Sequence, residues 1–233
     1  MKERPVMKNW TVDDVMSTKV ISVDQGASYR SVVDTLIENR VSAVPVVDPF
    51  LRVVGVVSEA DLLRKIEYAG DEEPRLFEGR RRRGERDKAR ARTAANLMSA
   101  PAVTALTGTS IAAAARRMDA DGVKRLPVVD DLGRLIGIVT RGDLLKVHLR
   151  PDDDIRADIE SGVLHGPLAA DAVTVTVEDG AVTLSGKVEA WSTGYEAARL
   201  TRQVPGVVEV IDEVGFEVDD RFVYAPGTAY GAA

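Results

Sequence analysis

The chain contains no cysteine, so it offers no disulfide framework, no thiolate metal site and no thiol nucleophile. Only two histidines, His148 and His165, occur among 233 residues, and neither sits in a metal-binding motif. No metal centre is therefore expected. No apolar run approaches the ~20 residues that a membrane-spanning helix needs. The stretch from Met1 to Val15 is charged and lacks the apolar core of a signal peptide, which makes the cytoplasm the expected location. There is no glycine-rich Walker loop and no Gly-x-Ser-x-Gly elbow. With no catalytic constellation to point to, the expectation is a protein that is not an enzyme.

What is present is ordinary in bulk. Hydrophobic residues make up 45% and charged residues 29%, as in many globular proteins. A formal charge of −6 gives no reason to expect nucleic acid as a partner. The informative feature is an internal repeat. Met16–Leu63 aligns without a gap on Met98–Leu145 at an offset of 82, with 15 of 48 positions identical. A gapless repeat of this length means two copies of one structural unit.

Each copy reads in the same order. An extended piece (Val20–Val23; Ala102–Ala105) precedes a helix for which Ser28 or Ser110 is a plausible N-cap. Two strands follow, Ala43–Val47 with Val53–Ser58, and Arg125–Val129 with Leu135–Thr140. A second helix closes each copy, over Glu59–Ile66 and Arg141–His148. The strands are apolar on both faces, which implies helices packed over a small sheet. Beyond Arg150 the pattern changes to a helix over Asp152–Gly162, a hairpin of Val173–Val177 and Ala181–Val188, a helix from Ser192 to about Gln203, and a strand at Val207–Val218.

Both copies end on the same motif, Gly55-Val-Val-Ser58-x-x-Asp61 and Gly137-Ile-Val-Thr140-x-x-Asp143. One reading is a capping box, in which the hydroxyl and the carboxylate three residues on satisfy the free amides of a helix start. The other is a nucleotide site. A helix N-terminus presents amides and a positive dipole end to phosphate, the hydroxyl adds a donor, and the carboxylate can accept from ribose hydroxyls. The second copy carries Arg141 where the first has Glu59, and Lys124 and Arg125 precede Leu126-Pro127. On charge, the Thr140/Asp143 side is expected to be the principal phosphate site.

Each repeat resembles a CBS (cystathionine-β-synthase-type) domain, and the two together resemble the paired CBS module. The residues carrying this are Asp13-Asp14-Val15-Met16-Ser17, Val44-Pro45-Val46-Val47-Asp48, Leu126-Pro127-Val128-Val129-Asp130, and the two Ser/Thr-x-x-Asp endings. Asp152 to about Asp219 resembles a BON domain through Val175-Thr176-Val177-Glu178-Asp179-Gly180, Val182 to Val188, and Val204-Pro205-Gly206-Val207-Val208. The resemblance implies a mixed α/β and α+β chain: two β-α-β-β-α CBS units packed as a pseudo-twofold pair, then a small α+β BON-like domain. The expected divisions are a leader at 1–11, CBS units at 12–69 and 94–150, a charged insertion at 70–93, the BON-like domain at 152–219 and a tail at 220–233.

The resemblance also implies clefts that hold an adenosine compound (AMP, ADP or ATP, with S-adenosylmethionine or NAD as alternatives). Ser58 and Asp61 would serve one cleft, with Val44 near the base. Thr140 and Asp143 would serve the other, with Leu126 near the base, and the charges of Arg141 and Arg125 are expected on that side. A homodimer through the CBS pair and an unidentified protein partner are implied in the same way. The leading expectation is a regulatory sensor signalling through the BON-like domain. The competing one is an envelope-associated adaptor whose CBS pair is a dimeriser and whose BON-like domain or arginine run binds lipid.

Two charged segments bear on partners. Arg80–Arg92 carries eight basic residues against two acidic ones, opening with Arg80-Arg81-Arg82-Arg83. It reads as a solvated or intramolecular electrostatic segment, with nucleic acid disfavoured for want of interleaved aromatics. From Asp152 to Asp220 there are 16 acidic and four basic residues, a charge of −12. Such a surface is repelled by anionic membranes.

Overall fold

The computed structural model describes residues 10–67, 91–165, 168 and 170–224. The Arg80–Arg83 run, most of the leader and most of the tail lie outside the described residues. The chain divides into two compact units, one of residues 11–144 and one of residues 145–233 with the N-terminal segment through Trp10.

In the first unit, α1 (Val12–Val15) is followed by β1 (Val23–Asp24), α2 (Tyr29–Glu38), β2 (Ala43–Val47), β3 (Val53–Ser58) and α3 (Glu59–Glu67). The second repeat follows as α4 (Ala94–Leu97), β4 (Ala105–Leu106), α5 (Ile111–Ala120), β5 (Arg125–Val129), β6 (Leu135–Thr140) and α6 (Arg141–Leu145). Each repeat makes its own three-stranded sheet, with the short first strand parallel to the second and the second antiparallel to the third. The two long strands of each repeat coincide with those expected. The first strand is shorter and lies later, at Val23–Asp24 and Ala105–Leu106, and the last helix stops at Leu145 before a 3₁₀ turn, Lys146–Leu149.

Local chemistry explains these elements. Ser28 Oγ accepts the Ser31 amide and Ser110 Oγ the Ala113 amide, so both helices start on serine caps. The turn between β2 and β3 is held by Asp48, whose carboxylate accepts the amides of Phe50 and Arg52 and the Arg52 Nε at 2.7 Å. Asp130 repeats this with Leu132 and Arg134. Burial works to raise the Asp48 pKa, but the bonds from Arg52 and Phe50 outweigh it and hold the carboxyl below its usual value. For Asp130 the Arg134 amide is the largest influence and the result is the same.

The repeats exchange their leading segments. Ser17 bridges to Ile138 on β6, and Ser99 bridges to Val56 on β3. Asp13 accepts from Thr107 Oγ1 and the Gly108 amide, both in the second repeat. Ala91, Ala94 and Leu97 join the buried cluster of Val32, Leu36, Val44, Val46 and Val57, so α4 completes the core of the first repeat. Close packing accompanies the exchange. A Cβ at Gly55 would lie 2.4 Å from Met98 Sδ, and one at Gly137 would lie 2.2 Å from Met16 Sδ.

The second unit contains the 3₁₀ turn, α7 (Asp152–Ile159) with a π turn at Glu160–Leu164, β7 (Val173–Glu178), β8 (Ala181–Ala190), α8 (Trp191–Thr201), β9 (Glu209–Val218) and α9 (Arg221–Tyr224). β7 and β8 form an antiparallel hairpin, and β8 and β9 run parallel with α8 crossing between them. The hairpin turn puts Asp179 and Gly180 at positive φ, as a two-residue primed turn requires. Asp152, the first residue of α7, accepts both turn amides at 2.9 Å. Ile155, Ile159, Val173, Val175, Val182, Leu184 and Ala197 form the core beneath the sheet. Among the described residues no helix is long and apolar enough to cross a membrane.

Candidate functional site

The Ser/Thr-x-x-Asp motifs form a cap at both helix starts. Asp61 Oδ2 accepts the Ser58 amide at 2.9 Å and Ser58 Oγ at 2.7 Å. Asp143 Oδ2 accepts the Thr140 amide and hydroxyl at the same distances, and the Asp143 amide donates to Thr140 Oγ1. The two are not equivalent in depth. Asp61 is buried, whereas Asp143 is half-buried and Arg141 is exposed.

A cavity of about 400 Å³ opens on the first of these caps. It is lined by Ser42 and Ala43 at the start of β2, by Ser58, Glu59 and Asp61, by Lys124 and Arg125 at the start of β5, and by Ser99, Pro101, Ala102 and Val103. That volume lies within the range of roughly 300–1,000 Å³ for small-molecule sites. Both repeats build it, because β2 and β5 begin side by side. The Arg125 guanidinium donates to the Ala43 carbonyl at 3.1 Å and to Ser42 Oγ. Burial pulls the Arg125 pKa below its usual value, opposed by the Glu59 carboxylate nearby.

This overturns one part of the charge argument drawn from sequence. Lys124 and Arg125 precede the second repeat's Pro strand, yet they line the cavity of Ser58 and Asp61. Arg125 is the strand neighbour of Thr140, but its side chain crosses to the first repeat. Only Arg141 remains as the distinguishing charge of the Thr140 motif. Val44 and Leu126 are fully buried, so their side chains belong to the core and are absent from the cavity lining. Ser42 and Ala43, the two residues before Val44, line the cavity. Ser42 and the Ser99–Val103 segment were not singled out in the sequence. The gapless register identifies Ser42 as the counterpart of Lys124, and that was the signal available.

The CBS-domain model matches residues 12–68 and 94–150, and the BON-domain model matches residues 151–217. A CBS domain-containing protein of Dictyostelium discoideum is 30% identical over 139 residues, covering 60% of this chain and 91% of that protein. The chain belongs to the CBS-domain family. Its two CBS repeats are followed by a BON domain. The CBS pair is also similar to the chloroplastic protein CBSX2 of Arabidopsis thaliana, 30% identical over 153 residues, with 60% of this chain and 64% of CBSX2 covered. A crystal structure of CBSX2 in complex with AMP matches with a TM-score of 0.54 and 31% identity, covering 60% of this chain and 97% of that one. A homoserine O-acetyltransferase of Methanococcoides burtonii is 28% identical over 134 residues. That match covers 58% of this chain and only 23% of the acetyltransferase, so the chain spans well under two thirds of that relative's length.

Proposed function

We propose that this protein is a non-enzymatic regulatory sensor whose CBS pair binds an adenosine nucleotide of the AMP, ADP or ATP class in the cavity beside Ser58 and Asp61. The observation that carries the proposal is the convergence on one cavity of a capped helix start, two cations and the starts of two strands. Phosphate would meet the Ser58 hydroxyl, Lys124 and Arg125. Asp61 would accept from the ribose hydroxyls, and backbone at Ser42 and Ala43 would hold the base. The AMP complex of the similar CBSX2 supports this choice of ligand class. Thr140, Arg141 and Asp143 form a second, more exposed site of the same design. The protein works in the cytoplasm as a homodimer, and the BON domain passes the bound state to a partner protein. Support for the dimer comes from the α2/α3 face, where Ile37, Leu63 and Ile66 are 70%, 58% and 71% exposed.

Calorimetric titration with AMP, ADP and ATP tests the assignment. Asp61→Ala is expected to weaken binding at least tenfold. Because Asp61 also caps α3, the double variant Lys124→Ser, Arg125→Ala serves as a second probe on residues that cap nothing. It replaces each cation with its counterpart from the first repeat and should weaken ATP more than adenosine. Affinity that survives both variants but is lost in Asp143→Ala would move the principal site to the Thr140 motif. Failure of all three nucleotides to bind would end the sensor reading and leave the CBS pair as a dimeriser.

A further inference from the structure

Among the described residues, the sheet of the BON domain has an open edge. β9 is ten residues long and pairs along its length with β8 only, and no other strand lies beside it among the described residues. A parallel strand alternates its amides between its two sides. The Val214 amide is bonded to the Asp212 carboxylate at 3.1 Å and so faces the side away from β8. Val210 and Val214 pack on the core, which directs Glu209, Ile211, Glu213 and Glu217 to the opposite face. Ile211 is 44% exposed, Phe216 39% and Val218 54%.

A long, half-apolar edge is a template for another strand, and natural proteins guard such edges with charge. Here the guard has one sign. Glu209, Asp212, Glu213 and Glu217 are acidic, and no residue of β9 is basic. Among the described residues the one ion pair to this set is from Lys187 on β8, 3.1 Å from Glu217. Two copies of β9 laid edge to edge would bring like charges together, which destabilises pairing. The same charge repels an anionic bilayer. It favours a strand whose side chains alternate basic and apolar.

We propose that the open edge of β9 is a docking site for an extended, lysine- or arginine-rich peptide of a partner protein, added as a further strand of the BON sheet. Its backbone pairs with the outward amides and carbonyls of β9. Its basic side chains lie beside Glu209 and Glu213, and its apolar ones beside Phe216 and Val218. The surface is separate from the nucleotide cavity and stands whether or not that cavity binds a nucleotide.

The test is fluorescence anisotropy on the full chain with a labelled octapeptide of alternating lysine and valine. Binding is expected, weakening about tenfold or more as salt rises, since exposed charges are screened. The same peptide N-methylated at alternate amides should lose binding at least tenfold. Glu209→Lys with Glu213→Lys should lose the lysine peptide and gain its glutamate–valine counterpart. Both sites are exposed, and an unchanged far-ultraviolet circular dichroism spectrum would confirm the fold. Equal binding of the N-methylated peptide, or an unchanged preference in the charge-reversed variant, would overturn the proposal. Self-association that depends on Glu209 and Glu213 would overturn it in favour of a second copy. Replacing Arg80–Arg83 with serine should leave peptide affinity unchanged. A tenfold gain would assign the edge to the chain's own arginine run instead.

Discussion

Met98 Sδ stands 2.4 Å from where a Cβ on residue 55 would be, so the glycine that opens the first Ser58–Asp61 motif makes room for a methionine from the other repeat. Gly137 and Met16 repeat the arrangement, but the two are not equally tight. At Gly55 the added carbon would also meet Met98 Cγ at 2.7 Å and Cβ at 2.9 Å, and Cβ cannot swing away. At Gly137 the nearest atoms are Sδ, Cγ and Cε of Met16, all movable by rotation.

Gly55→Ala is therefore expected to cost about 1–3 kcal/mol, the usual penalty of overpacking, and Gly137→Ala less. Denaturant unfolding of the two variants checks the order. A double-mutant cycle with Met98→Ala should show partial coupling for Gly55→Ala, because the substitution removes Sδ and Cγ but keeps Cβ.

Arg125 lies at the meeting of the two strand starts. Arg125→Ala on its own should reduce ATP affinity about tenfold through the lost cation. It should also lower the unfolding midpoint without nucleotide by a few degrees, through the lost hydrogen bonds to Ala43 and Ser42. Titration beside thermal unfolding separates the two effects.

Acid sensitivity is expected from the two turn aspartates. Asp48 and Asp130 have pKa values lowered by folding, so the stability they contribute is present above the unfolded value of ~3.9 and is lost as pH falls through the lower folded value. Asp130→Asn should lower stability at neutral pH and flatten its decline below pH ~4. Urea unfolding across a pH series gives the comparison.

The bonds from Asp152 to the hairpin turn supply a test inside the BON domain. Asp152→Ala leaves the amides of Asp179 and Gly180 without that acceptor and should cost about 1.5–3 kcal/mol, as for hydrogen bonds to a charged group. Asp152→Asn should cost less. Amide hydrogen exchange at Asp179 and Gly180 would report the loss locally.

Much of this fold was legible in local pattern. Pro45 and Pro127 sit at matching places in apolar runs, Asp48 and Asp130 mark the following turns, and serines open α2 and α5. The four long strands follow from these. What could not be read was which repeat each piece serves. Met16 and Met98 occupy identical local contexts, and nothing within a few residues of either says that its side chain packs on the other repeat. Arg125 misled for the same reason. Its neighbours along the chain belong to one motif, while its guanidinium reaches Ser42 and Ala43 across the pseudo-twofold relation. Side-chain destinations of this kind are decided by tertiary contact, which periodicity does not encode.

The exchange of leading segments also changes what a break in the chain would do. Glu67 ends α3, and Ala91 resumes in the same buried cluster, with Lys65 Nζ donating to the Ala91 carbonyl at 3.3 Å. The chain before residue 68 and the chain after residue 90 thus share one buried core. A protease that cuts only between them would leave two fragments, each holding the segment that closes the other's core. They should travel as one species through gel filtration and separate only in denaturant.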